Sequence, residues 1–318
     1  MSIRVQHLSY RYPTALPSDP PALVDVSFTI EEGEFVALLG PTGSGKSTLV
    51  QHLNGLLRPP PGTVWVFGMD VGRRGTDLSQ VRRRVGLVFQ YPEYQLFEET
   101  VLQDVAFGPR NLGVQEQEAL ERARRALRRV GLDPDVYGNR SPFELSGGQR
   151  RRAALAGVLA LESPVLVLDE PTAGLDPRGR QELMELLREL NREGTTVVLV
   201  THSMEEVARV ARRALLLSRG RLVADCPVDS LFYDHGDLVR SVGLRVPETV
   251  ELVQALRRRG APIQGKPLTP QQAAAAIARW RLGEGPADRT GSRARPGSGQ
   301  GRQALGRHAL RSRPVRPR

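Results

Sequence analysis

Cysteine is nearly absent from this 318-residue sequence: Cys226 stands alone, so no internal disulfide can form and a reducing cytoplasm is the expected setting. Long apolar runs are missing too. The longest, Ala153 to Leu161, falls far short of the roughly 20 residues that an α-helix needs to cross hydrocarbon. Met1 to Tyr10 holds no continuous apolar stretch of the kind a secretory signal uses. Acid is lacking from residues 289–318, where nine arginines (Arg289, Arg293, Arg295, Arg302, Arg307, Arg311, Arg313, Arg316 and Arg318) meet no Asp or Glu. Without those nine, the 45 basic residues fall to 36 against 35 acidic ones, so the net charge of +10 belongs to a tail. The remaining chain is almost neutral, and no nucleic-acid partner is expected. No repeat of solenoid period occurs either.

What is present is ample apolar material, 40% of the chain, enough for one large domain and an appendage. Val24, Val26, Phe28 and Ile30 alternate with Ser27 and Thr29, which predicts an antiparallel strand with one buried face. From Val36 the pattern changes to short continuous runs, Val36–Leu39, Val85–Phe89, Val165–Leu168 and Val197–Val200, the appearance of parallel strands covered on both faces. Helical spacing links them, with Ala119, Ala123, Ala126 and Val130 on one stripe and Leu183, Leu186, Leu187 and Leu190 on another. The fold class is therefore α/β, with layers of helix around a parallel sheet. A hairpin over Ala214–Ala224 is followed by a small helical appendage, residues 226–282. There Val250, Val253 and Leu256 form a stripe, and Thr269, Pro270 and Gln272 mark a capped helix start. Beyond Gly283, Gly, Pro, Ser and Arg without periodicity predict disorder over 283–318.

Three motifs carry chemistry. Gly40, Pro41, Thr42, Gly43, Ser44, Gly45, Lys46, Ser47 and Thr48 form a phosphate-loop pattern between the strand at Val36–Leu39 and a helix starting near Lys46. Glycines let the loop wrap its N–H groups onto phosphate oxygens, and the helix start adds positive potential. Lys46 is expected to reach the β and γ phosphates of a nucleotide, and the Ser47 hydroxyl to ligate Mg²⁺. Val165–Leu168 leads into Asp169 and Glu170 at the carboxyl edge of the sheet, where α/β folds hold ligands. Asp169 is expected to hold the Mg²⁺ shell through water, and Glu170 to act as general base on the attacking water. Leu145-Ser146-Gly147-Gly148-Gln149 opens another helix, a second anion-binding device. With one phosphate loop per chain, it is expected to serve a nucleotide held by another subunit.

In this order the motifs resemble those of the ATP-binding-cassette ATPases over residues 1–225. The match comprises the phosphate loop, Gln90 after a strand, Leu-Ser-Gly-Gly-Gln, Asp169–Glu170, Gly174-Leu175-Asp176, and His202 after Val197–Val200. The resemblance implies a RecA-like P-loop NTPase core with an antiparallel β subdomain and a helical signature subdomain at about 91–161. It implies that Gln90 contacts Mg²⁺ and water and links the site to a membrane partner. His202 then holds the γ-phosphate, and Asp176 crosses the seam of a head-to-tail dimer. An aromatic ring stacks on adenine, Tyr12 by first choice and Tyr10 as the alternative, with packing inside the β subdomain as the plain reading of Tyr12.

Phe89-Gln90-Tyr91-Pro92-Glu93-Tyr94-Gln95-Leu96-Phe97-Glu98-Glu99-Thr100-Val101 is similar to a segment of the ATPases of energy-coupling-factor transporters, as are Phe143-Glu144 and the C-terminal appendage. That resemblance implies a peripheral subunit on the cytoplasmic face of the cell membrane, driving import of a vitamin or transition-metal ion. The implied partners are a second ATP-binding subunit, better a non-identical sister than a second copy, a transmembrane scaffold and a separate substrate-binding membrane protein. Tyr91, Tyr94, Leu96 and Phe97 suit either a groove for a scaffold helix or the core of the helical subdomain. The Arg-rich tail is expected to be solvated, with contact to anionic lipid as the alternative. Another small-solute importer is the runner-up. A chromosome-maintenance ATPase would need a long coiled coil between Lys46 and Ser146, which the sequence lacks.

Overall fold

Antiparallel pairing comes first in the computed structural model, which describes residues 1–282 apart from Ala15 and Pro17; the tail, 283–318, and the solvent or lipid role read for it lie outside the described residues. β1 (Ile3–Tyr10) pairs with β2 (Leu23–Ile30) and β4 (Val64–Val66), and β5 (Met69–Asp70) completes a four-stranded sheet. In β2 the predicted alternation holds from Val26 to Ile30, but Leu23 turns inward in place of Val24, which is only half-buried. The cause is backbone: His7 and Asp25 both have positive φ, 49° and 52°, and the β1–β2 register shifts around Leu8, so the alternation loses phase.

The second sheet contains β3 (Phe35–Leu39), β6 (Val85–Val88), β7 (Val165–Asp169), β8 (Thr196–Val200), β9 (Arg213–Ser218) and β10 (Arg221–Pro227) in the order β10-β9-β3-β8-β7-β6. All neighbours are parallel except the β9–β10 hairpin. Continuous apolar runs are explained by burial on both faces. In β3, Phe35, Ala37 and Leu39 enter one core cluster while Val36 and Leu38 enter the other. Leu166 and Leu168 against Val165 and Val167 divide β7 in the same way.

The helices follow as α1 (Lys46–Leu53), α2 (Leu78–Arg84), α3 (Val101–Asn111), α4 (Glu116–Arg129), α5 (Pro134–Tyr137), α6 (Gly147–Leu159), α7 (Pro177–Arg192) and α8 (Met204–Val210). The alanine stripe read in the sequence is the buried face of α4, packed with α3 and α6 in one core with the main sheet. Past the hairpin come α9 (Val228–Tyr233), α10 (Gly236–Ser241), α11 (Glu248–Arg258) and α12 (Pro270–Arg281). α12 begins with the expected capping box of Thr269 and Gln272. Val253, Ala261, Ile263, Ala273 and Ala276 form a small core of their own between α11 and α12.

Arg213 ties the two sheets together. Its Nε and Nη2 donate to Asp225 at 2.6 and 2.7 Å, and Nη1 donates to the Thr29 carbonyl and Glu34, both at 3.0 Å. The hydrogen bonds to Asp225, and after them those to Glu34, raise its proton affinity against the effect of burial.

Candidate active site

Sheet order assembles the site. β3 lies between β9 and β8, with β7 and then β6 beyond. Register pairs Leu38 with Val200, Leu168 with Leu199, and Val88 with Leu168. Four loops therefore leave the carboxyl edge side by side, carrying the phosphate loop, His202, Asp169–Glu170 and Gln90 in that spatial order. Each strand was legible in the sequence; their order was not.

The phosphate loop closes on itself and on its surroundings. Lys46 Nζ donates to the carbonyls of Gly40 and Pro41 at 2.8 and 2.9 Å. Burial lowers the Lys46 pKa, with the charges of Glu170 and Asp169 opposing the shift. A methyl group at Gly40 would lie 2.4 Å from the Leu217 carbonyl oxygen, and one at Gly45 (φ 102°) 2.5 Å from that of Ala22. Only glycine fits at these positions. Behind the loop, Gly220 at the β9–β10 turn donates its N–H to Ser44 and accepts from Val24, at 3.0 and 2.8 Å. Ser44 is buried and its Oγ has no protein partner. Thr42, Gly43 and Ser47 are exposed, Pro41 is half-buried and Thr48 is buried.

Glu170 extends the β7 ladder by one bond, its N–H donating to Val200 at 2.9 Å. Its φ of 49° then turns the side chain out of the sheet. There Oε1 meets His202 Nδ1 at 2.8 Å. Glu170 is mostly buried, at 14% side-chain exposure, whereas His202 is 72% exposed. One partner belongs to the fold and the other to the open side. Asp169 is half-buried beside it. Sequence reasoning missed a third acid: Glu206, on α8, is buried and accepts hydrogen bonds from Thr172 Oγ1 and Thr201 Oγ1 at 3.1 and 3.2 Å. Burial raises its pKa, against the two threonine hydrogen bonds and Arg180; the nearby Glu170 charge adds to the rise. Of the adjacent pair Glu205–Glu206, only the second is buried, which spacing alone does not reveal.

Ser146 caps α6, accepting from Gln149 N–H at 3.3 Å, while Gln149 Oε1 accepts from Ser146 N–H at 2.9 Å. Gly147 and Gly148 are exposed and leave open space where a side chain would stand. Asp176 is exposed and caps α7 through the Gly179 N–H at 2.7 Å, a local duty the sequence reading had not given it. Tyr12 Oη lies 3.0 Å from Thr48 Oγ1, which puts its ring next to α1 at the phosphate loop. Tyr10 instead packs edge-on against buried His52 at 4.5 Å and is the more enclosed of the two.

The segment after Gln90 separates by burial. Leu96 is 6% exposed and belongs to the core, whereas Tyr94 is 84%, Phe97 57% and Tyr91 43% exposed. Gln90 itself is exposed. Asp104 on α3 accepts the backbone N–H groups of Phe97 and Glu98 at 2.7 and 2.9 Å, pinning this aromatic loop. Arg151, buried on α6, donates to the Ala173 carbonyl, lies 3.9 Å from Glu93 and faces the Tyr91 ring. It thus joins the signature helix to the segments after Gln90 and Glu170. Neither Asp104 nor Arg151 was singled out in the sequence, where Arg151 is one of three consecutive arginines.

The chain is similar to known proteins. The family model described as ABC transporter matches residues 23–173. The energy-coupling factor transporter ATP-binding protein EcfA2 of Symbiobacterium thermophilum is 53% identical over 289 residues, covering 91% of this chain and all of the relative. EcfA2 of Clostridium perfringens is 47% identical over 278 residues, with 87% and 97% covered. Among solved structures, cbiO1 from Clostridium perfringens, part of the ABC transporter complex cbiONQ, aligns with a TM-score of 0.65 and 36% identity over 79% of this chain and 98% of that one. The ATP-binding cassette MJ0796, in a dimeric post-hydrolysis state bound to ADP and Pi, aligns with a TM-score of 0.63 and 31% identity, covering 71% and 98%. With relatives this similar over nearly their full length, the chain belongs to the ATP-binding proteins of energy-coupling-factor transporters, within the ATP-binding-cassette family.

Proposed function

We propose that this chain hydrolyses ATP at a site shared with a second ATP-binding subunit and passes the resulting closure and reopening to membrane proteins that import a vitamin or a transition-metal ion. The observation that carries this reading is the single sheet edge on which the phosphate loop, Glu170, His202 and Gln90 emerge together. Lys46 and the loop N–H groups bind the β and γ phosphates, and Tyr12 stacks on adenine. Glu170 accepts the proton of the attacking water as its oxygen bonds to the γ phosphorus and the bridging P–O bond breaks, leaving ADP with the electron pair. His202, oriented through Nδ1 by Glu170, presents its other nitrogen to the γ-phosphate.

The donor set of Ser47 hydroxyl, Gln90 amide and Asp169 carboxylate suits Mg²⁺, a hard cation that completes its shell with phosphate oxygens and water. Bound there, Mg²⁺ would neutralise phosphate charge. Among the described residues no three His, Cys, Asp or Glu side chains cluster as a metal cage. The exposed start of α6, Ser146 to Gln149, supplies the second half of the pocket to the partner's nucleotide, and Asp176 lies at the seam. In this reading residues 1–225 form the nucleotide-binding domain, 226–282 the appendage and 283–318 the tail.

Tyr91, Tyr94 and Phe97 form the contact for the transmembrane scaffold, and a separate membrane subunit binds the substrate. No helix among the described residues is long and apolar enough to cross a membrane; in this reading the chain attaches at the cytoplasmic face through these partners. Purification of the tagged chain from membranes, with identification of what accompanies it, tests the assignment. A second ATPase and two membrane proteins are expected; a lone chain completing turnover would refute it.

A further inference from the structure

Glu206 has a use that the catalytic reading leaves out. Glu170 and His202 stand on different loops, and their contact exists only while those loops keep their spacing. Thr172 follows Glu170 by two residues and Thr201 immediately precedes His202. Both hydroxyls donate to the same atom, Glu206 Oε2, at 3.1 and 3.2 Å. All three side chains are more than nine-tenths buried. Thr201 Oγ1 also accepts the Ser203 N–H at 3.1 Å, and Ser203 Oγ accepts the Glu206 N–H at 3.4 Å, so the loop after β8 is folded back onto the acid. α8 presents Met204, Val207, Ala208 and Val210 to the core, and an acid on that inner side must be desolvated. The packing does not require it, while the two loops do.

We infer that Glu206 is a positioning residue, a clasp whose single carboxylate oxygen holds the loop of Glu170 and the loop of His202 at their working separation. The inference rests on reading those two residues as the pair that activates water. Glu206 touches neither nucleotide nor water in this scheme, and it acts through the two threonines. An amide oxygen can accept the same two hydroxyls. Glu206→Gln therefore keeps the clasp while removing the charge, and Glu206→Ala removes both.

Steady-state ATP hydrolysis by the full-length chain in its assembled complex separates the possibilities. Glu206→Ala is expected to lower kcat by about 10- to 100-fold, the scale on which a misplacement near 1 Å acts, with KM for ATP within about threefold of wild type. Glu206→Gln should recover most of the loss, and the double variant Thr172→Val with Thr201→Val should match Glu206→Ala. A kcat within about twofold of wild type for Glu206→Ala overturns the clasp, as does a Glu206→Gln variant no better than alanine. A fall in KM performance, kcat and Tm together would mark a merely structural residue and overturns it too. Glu170→Gln is measured alongside: wild-type hydrolysis there defeats the underlying assignment of the base, whereas an inactive Glu170→Gln with an unimpaired Glu206→Ala defeats the clasp alone.

Discussion

Nδ1 of His202 and Oε1 of Glu170 stand 2.8 Å apart although 32 positions separate them in the chain. The contact joins a mostly buried carboxylate to an exposed imidazole, so the acid is oriented by the fold and the ring can still face a ligand. Glu170→Gln is expected to bind ATP and to close with its partner subunit while losing at least about 100-fold in turnover, as removal of a general base does. Equilibrium binding and phosphate release measured on one preparation check this; hydrolysis near the wild-type rate would refute it.

Lys46 is one of two lysines in the chain, the other being Lys266, which pairs with Asp234. Because burial lowers its pKa, Lys46 carries a larger uncharged fraction at a given pH than an ordinary lysine. Amine-directed acylation near pH 8 should modify Lys46 ahead of Lys266, with ATP suppressing the reaction. Peptide mapping reads the order, and preferential labelling of Lys266 would contradict the environment described for Lys46.

The aromatic loop gives a prediction in which burial decides the sign. Truncating a core phenylalanine costs about 3–5 kcal/mol, but Phe97 is 57% exposed. Phe97→Ala should leave Tm nearly unchanged and ATP binding intact while abolishing capture by the membrane scaffold. Asp104→Ala should weaken capture by releasing the Phe97 and Glu98 N–H groups. Leu96→Ala, in contrast, should lower stability by about 2–5 kcal/mol. Scaffold pull-down beside thermal melting distinguishes the three.

His52 supplies a pH dependence. It is fully buried, its Nδ1 lies 2.9 Å from the Leu57 carbonyl, and burial pushes its pKa below the ordinary histidine value. The unfolded chain then takes up a proton near pH 6.5 that the folded chain refuses, so stability falls as pH drops through that value. One such proton contributes a slope of at most about 1.4 kcal/mol per pH unit. Urea unfolding between pH 8 and 5.5 should show this slope in wild type and a shallower one in His52→Gln. Equal slopes would exclude His52 as the source.

Much of this molecule is legible from residues alone, because buried strands and amphipathic helices leave periodic marks and the phosphate loop, Asp169–Glu170 and Leu145–Gln149 are contiguous. What spacing cannot convey is adjacency between distant segments. Nothing in Thr172, Thr201 or Glu206 taken singly shows that one carboxylate oxygen serves both hydroxyls, since that depends on β7 and β8 being neighbours. The buried placement of Arg151 among Arg150 and Arg152 depends likewise on which side of α6 faces Ala173. The inward turn of Leu23 was hidden for a different reason: left-handed backbone at His7 and Asp25 breaks the period on which the reading relied.

Hairpin tips are ordinarily where a chain tolerates inserted residues. The tip at Arg219–Gly220 is an exception, since its glycine is wedged between Ser44 and Val24 and leaves 2.8 Å from an added side-chain carbon to the Ala22 oxygen. An epitope tag spliced there would shove the loop at Gly40–Thr48 out of shape from its rear. Sites for labels, fusions or circular permutation are better sought elsewhere on the surface.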